Sequence, residues 1–167
     1  VARAAFADVP LSAGHLPAFY NHKPSARRGY LFDDVSPLWA FGYGLSYTTF
    51  AVAHVRLTEP VIPRSGSTRV LADVTNTGDR YGSEVVQLYI RDQVSSVTRP
   101  VKELKGFTKV SLKPGETRTV AFDITPEALA FHDVEMRQVV EPGEFTIMVG
   151  TSSRDCDLQS VTLLVER

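Results

Sequence analysis

From Thr49 onward, apolar and polar residues alternate with period two in short runs that Gly, Pro and Asn interrupt, and few folds accept such a pattern. Successive side chains of a strand point to opposite faces, so a run of this kind buries one face and wets the other. Ala53, Val55 and Leu57 are expected to share one face, Val70, Ala72 and Val74 a second, and Val86, Leu88 and Ile90 a third. Val120, Phe122 and Ile124, then Phe145, Ile147 and Val149, then Val161, Leu163 and Val165 continue the pattern.

The reversals carry their own chemistry. Thr75-Asn76-Thr77-Gly78-Asp79, Leu112-Lys113-Pro114-Gly115-Glu116 and Val140-Glu141-Pro142-Gly143-Glu144 place Gly, Pro or Asn where a chain must turn. Thr125-Pro126-Glu127-Ala128-Leu129 differs, because a Thr cap followed by Pro at the first helical position predicts a short helix crossing between sheets. The count is seven strands, with an eighth near Met136 to Val140. That number without strand–helix alternation predicts an all-β, antiparallel sandwich of immunoglobulin-like or fibronectin type III-like type.

The first 48 residues read differently. Val1 to Asp8 is Ala-rich, and Pro10, Pro17, Pro24 and Pro37 favour an extended, mostly irregular arm. Phe19, Tyr20, Tyr30, Leu31, Phe32, Leu38 and Trp39 are too many large apolar groups for a solvated tail, so something is expected to cover them. The arm ends in Phe41-Gly42-Tyr43-Gly44-Leu45-Ser46-Tyr47, which reads as a hinge: two glycines free the backbone while the interleaved rings bury apolar area. The expected division is therefore an arm and hinge over 1–48 and a sandwich over 49–167.

Composition excludes several classes of function. With 18 Lys plus Arg against 19 Asp plus Glu, the net charge of -1 exerts no overall pull on nucleic acid or an acidic membrane. Cys156 is the single cysteine, so no internal disulfide forms and no zinc-type spacing exists; no metal or cofactor is expected. No apolar run approaches the roughly 18 residues of a membrane span, and no signal peptide opens the chain, although for a fragment a leader would lie upstream.

Five ordered stretches carry a family resemblance. They are Pro37-Leu38-Trp39-Ala40 with the hinge through Phe50; Val74-Thr75-Asn76-Thr77-Gly78; Gly82-Ser83-Glu84-Val85-Val86-Gln87-Leu88-Tyr89; Arg99-Pro100-Val101-Lys102-Glu103-Leu104-Lys105-Gly106-Phe107; and Leu112-Lys113-Pro114-Gly115-Glu116. In order and spacing they resemble the fibronectin type III-like domain that ends family 3 glycoside hydrolases, and the arm from about Pro10 resembles the close of the α/β sandwich domain before it. The resemblance implies a non-catalytic C-terminal piece that stabilises the enzyme or shapes its substrate rim. It implies an N-terminal barrel and an α/β sandwich domain as partners, oligo- or polysaccharide as ligand, and a periplasmic or secreted parent. That parent would release terminal β-D-xylosyl or β-D-glucosyl residues with retention. The segment Asn21-His22-Lys23-Pro24-Ser25-Ala26-Arg27-Arg28-Gly29-Tyr30 leans toward the β-xyloside branch.

Retaining glycosidases need two carboxyl groups roughly 5 Å apart. The candidates here, Asp33-Asp34 and the pair Asp155 and Asp157, read as turn carboxylates, and the family's nucleophile and acid/base both belong to preceding domains, so no catalytic or substrate-binding residue is assigned. His15, His22, His54 and His132 lack a Ser or Cys partner. The basic group His22, Lys23, Arg27 and Arg28 reads as a surface or docking loop. Among rings able to stack on a pyranose, Trp39 lies beside the hinge and reads as packed on the absent domain, while Arg80-Tyr81 and Phe131-His132 lie in loops. The residues expected to dock that domain are Phe19, Tyr20, Tyr30, Phe32, Trp39, Phe41, Tyr43 and Tyr47; without it the arm would be mobile, lie back on the sandwich, or associate with a second copy. Two other classes compete: a free-standing carbohydrate-binding or adhesion module, which the aromatic arm argues against, and a small enzyme, which lacks a convergent titratable set.

Overall fold

The computed structural model describes Tyr20, Asn21 and residues 37–167. Among the described residues ten strands follow one another: β1 Phe50–Leu57, β2 Val61–Pro63, β3 Thr68–Asn76, β4 Gly82–Asp92, β5 Glu103–Leu112, β6 Thr117–Ile124, β7 Phe131–His132, β8 Gln138–Val139, β9 Gly143–Gly150 and β10 Leu158–Glu166. Eight of them form two sheets, one of order β1-β3-β6 and one of order β2-β10-β9-β4-β5, and β7 with β8 makes a separate two-stranded ribbon. Every pairing is antiparallel except β2 with β10. The sandwich expected from the alternation is what forms.

Its core is built from the predicted faces. Val70, Ala72 and Val74 of β3, Val86, Leu88 and Ile90 of β4, Val120 and Ile124 of β6, and Phe145, Ile147 and Val149 of β9 are buried together with Leu163 and Val165 of β10. The helix α1, Pro126–Leu129, follows β6 and sends Leu129 into the same core. Thr125 holds the cap position, but its side chain makes no capping bond.

Three details depart from the strict alternation. In β1 the register slips between Ala53 and Arg56, and His54 adopts φ +52, so an extra residue bulges the strand. The core-facing set is therefore Phe50, Val52, Val55 and Leu57, without Ala53. The eighth sandwich strand is β2, whose Ile62 is buried, rather than a strand near Met136. Residues 138–139 pair only with β7, across a turn that Asp133 staples by accepting from the backbone N–H groups of Glu135 and Arg137 at 2.9 Å.

The turns behave as their residues require. Glu116 N–H donates to Lys113 C=O at 3.0 Å with Gly115 at φ +72, a Pro-Gly turn in which only glycine sits without strain. Asn76, fully buried, ties several segments at once: its amide donates to the carbonyls of Arg80 (2.8 Å) and Leu112 (3.0 Å), and its side-chain oxygen accepts from Thr48 (2.9 Å) and Gly78 N–H (3.1 Å).

Candidate functional site: a docked hinge with an exposed aromatic border

One face of the five-stranded sheet points into the core and the other would meet water, yet β4 is buried on both from Gln87 to Ile90. The cover is the incoming chain. Phe41, Tyr89 and Met148 form a second apolar cluster, against which Tyr20, Leu104 and Leu158 pack. Tyr20 stacks on Phe41 with ring centroids 4.3 Å apart and meets Tyr89 edge-on at 6.0 Å. The Tyr20 hydroxyl accepts from Leu104 N–H at 3.1 Å, and burial pushes its phenol up from its ordinary value. Asn21 C=O accepts from Val101 N–H at 3.1 Å.

Polar groups lock this cover in place. Gln87 donates to the carbonyls of Gly42 (3.1 Å) and Thr151 (2.7 Å), and its oxygen accepts from the Tyr89 hydroxyl at 2.6 Å. Ser153 N–H donates to Phe41 C=O at 2.9 Å, while the buried Lys102 ammonium donates to Ser153 C=O at 2.8 Å and pairs with Asp155. Gly42 has φ +75, and a Cβ there would lie 2.1 Å from Gln87 Oε1, so both conformation and space demand glycine.

Around this anchored centre the chain leaves large groups in solvent. Leu38 is 49% exposed, Trp39 42%, Leu45 62% and Tyr47 87%. Trp39 stacks on Tyr43 at 5.1 Å, and the Arg154 guanidinium lies 4.3 Å from the Tyr43 ring centroid, a cation–π contact. Of the residues expected to dock another domain, Phe41 is thus consumed inside this chain, Tyr20 and Tyr43 are partly covered, and Trp39 and Tyr47 remain open. Phe19, Tyr30 and Phe32 lie outside the described residues, as do His15, His22, Lys23, Arg27, Arg28 and the Asp33-Asp34 pair.

Arg154 and the Gln87–Tyr89 pair escaped sequence reasoning. A signal existed: Val85-Val86-Gln87-Leu88-Tyr89-Ile90 carries large groups at both parities, the pattern of a strand covered on two sides. The remaining candidates have structural partners. Asp157 accepts from Ser152, whose hydroxyl oxygen in turn accepts from Arg154 N–H at 3.1 Å. His54 Nδ1 lies 3.2 Å from Asp73, which also accepts from Thr119 at 2.7 Å; that bond leads the causes holding the Asp73 carboxyl below its ordinary range. Cys156 is exposed, and among the described residues no group of three metal-ligating side chains exists.

A second electrostatic feature stands at the β4–β5 loop. Arg99 pairs with Glu103 at 3.3 Å and lies 4.6 Å from the Phe131 ring centroid, while Asp92 Oδ2 is buried without a hydrogen-bond partner. Burial pushes the Asp92 carboxyl up; nearby Arg99 opposes that shift.

Comparison with known proteins fits this architecture. A fibronectin type III-like domain profile matches residues 84–153. The chain is 43% identical to the periplasmic beta-glucosidase of Salmonella typhimurium over 94% of its own length, and 45% identical to a beta-xylosidase of Formosa agariphila over 95%. It spans 22% of each of those relatives. Among solved structures, a b-glucosidase from Erythrobacter marinus superposes with a TM-score of 0.90 at 42% identity, covering 95% of this chain and 21% of that one. The beta-glucosidase of Listeria innocua in complex with glucose gives 0.86 at 35%, covering 96% and 24%. A β-sandwich carrying this domain signature, matched nearly end to end by about a fifth of each relative, is the fibronectin type III-like C-terminal portion of a family 3 glycoside hydrolase.

Proposed function

We propose that this chain supports a larger glycosidase without performing its chemistry: it presents Leu38, Trp39, Leu45 and Tyr47 to a preceding α/β sandwich domain, holds that domain in place and shapes the rim of its substrate site. The carrying observation is the contrast inside the hinge. Phe41 and Gly42 are fastened to β4 by packing and Gln87, while neighbours on either side hold large apolar groups in solvent that no element of the sandwich covers. An apolar border left largely in solvent beside a fastened hinge serves to pack on something else. The boundary follows from this reading, with residues 1–48 as arm and hinge and 49–167 as the supporting domain.

The whole protein, on this proposal, hydrolyses terminal non-reducing β-D-glucosyl or β-D-xylosyl groups with retention, its two carboxyl groups standing in the preceding domains. Relatives named for either sugar match at 43% and 45% identity, which supports the pair rather than one member. The test joins this chain to those domains and compares Leu45→Ala and Tyr47→Ala in the joined protein and in the isolated chain. Because both side chains are exposed here, each substitution should cost the isolated chain under about 0.5 kcal/mol. Truncating a buried interface anchor should cost the joined protein on the order of 2 kcal/mol, read from thermal unfolding. Equal, small effects in both settings would remove the docking face from the proposal.

A further inference from the structure

We infer that the sandwich carries a saccharide-binding cleft of its own, formed by Tyr81 and the β5–β6 turn, and that its ligand is an acidic sugar, a uronic-acid-bearing oligosaccharide. The cleft has a volume of about 640 Å³ and is lined by Tyr81, Ser111, Lys113, Pro114, Glu116 and Arg118 together with Gly115. It is an open surface depression rather than an enclosed pocket, so a ligand would lie across it with one side in solvent. Its contents suit a charged pyranose: one exposed ring (Tyr81, 64%) offers a flat apolar face, and two cations stand around it. Glu116 is already engaged, accepting from Arg118 at 2.8 Å and from Lys113 N–H at 2.9 Å, and these bonds, the Lys113 N–H first, hold its carboxyl below its ordinary range. Glu116 thereby positions Arg118 and fixes the turn. The Lys113 ammonium acts on Glu116 through its charge but makes no direct ion pair with it, so this cationic group can still meet a ligand carboxylate.

The walls are built in advance. Asn76 donates to Arg80 C=O on the Tyr81 side and to Leu112 C=O on the turn side, and its backbone bonds Glu116 C=O (3.0 Å) and Gly115 N–H (2.9 Å). Ser111 Oγ is 2.7 Å from Ser83 Oγ, joining β5 to the start of β4 at the cleft. A ligand entering here orders little new chain, which favours binding by a small interface.

The test titrates the 167-residue chain with trigalacturonic acid, xylotriose and inorganic phosphate, following backbone amide shifts. Trigalacturonic acid is expected to move the amides of residues 80–83 and 111–118 with a dissociation constant on the order of 1 mM, at least about tenfold tighter than xylotriose. Tyr81→Ala and Lys113→Gln should each weaken it about tenfold or more, and Tyr81→Phe, which keeps the ring, should restore most of the affinity. Lys113→Gln breaks no ion pair among the described residues, and unchanged thermal unfolding of the variant shows that the lost affinity reports the ligand rather than the fold. Phosphate binding as tightly as the trisaccharide would overturn the saccharide assignment, xylotriose binding as tightly would overturn the acidic one, and shifts absent from these amides would overturn the site itself.

Discussion

Asn76 is the residue on which the most segments of the sandwich depend. Replacing it with Ala leaves the buried carbonyl of Leu112 and the part-buried carbonyl of Arg80 and N–H of Gly78 without their partner. The loss should be roughly 2–4 kcal/mol in urea unfolding, and a change under 1 kcal/mol would mean that water replaces the amide. Gly42→Ala tests the hinge in a different way. Its φ of +75 and the overlap with Gln87 should cost about 1–3 kcal/mol and displace Phe41 and Tyr20, visible as altered ring shifts; an undisturbed pair of rings would refute the fit. Asp92 supplies the pH dependence. A carboxyl whose folded pKa lies above its unfolded value costs stability once ionised, and the cost is relieved as pH falls through the folded value. Asp92→Asn should therefore gain most over the parent chain at pH 7 and lose that advantage toward pH 4; the opposite trend would show that Arg99 dominates burial.

At the level of elements, most of the sandwich was legible because a half-buried strand writes its period into the sequence. Six alternating faces were readable, and five lie in the core as expected; in β1 Val55 and Leu57 pack on the core but Ala53 does not, because a bulge at His54 shifts the parity, and nothing in Ala-Val-Ala-His-Val announces it. The short β2, which follows Pro60 and ends on Pro63, was hidden because three residues show no period; only its parallel pairing with β10 makes it a strand. Pairing across the sequence also decided that residues 138–139 close a ribbon with β7 instead of joining a sheet. The cover over β4 was half legible. Aromatic spacing in the hinge flagged Phe41, Tyr43 and Tyr47 alike, whereas their fates depend on what Tyr89 and Gln87 offer across the sheet. Phe41→Ala should accordingly behave as a core truncation, costing about 3 kcal/mol or more, and should speed amide exchange at Ser153 and Leu104, whose bonds run to Phe41 and Tyr20. Exchange there matching the parent chain would mean that the cover is held by its polar groups alone.

For the molecule as a whole, the sandwich buries a core drawn from both of its sheets, while the border beside the hinge stays exposed; on the proposed reading that border packs on a preceding domain. The proposed division of labour puts chemistry in the preceding domains and support in this one. Asp73, Asp133, Asp155 and Asp157 all have partners within the fold, which gives each carboxylate a structural task. The most direct measurement is turnover of aryl β-glucoside and aryl β-xyloside by the purified 167-residue chain, beside the same chain joined to the preceding domains. The account predicts hydrolysis by the joined protein and none above the uncatalysed rate by the chain alone. Turnover by the isolated chain that survives purification to homogeneity and vanishes on replacing one of its own Asp or Glu residues would contradict it.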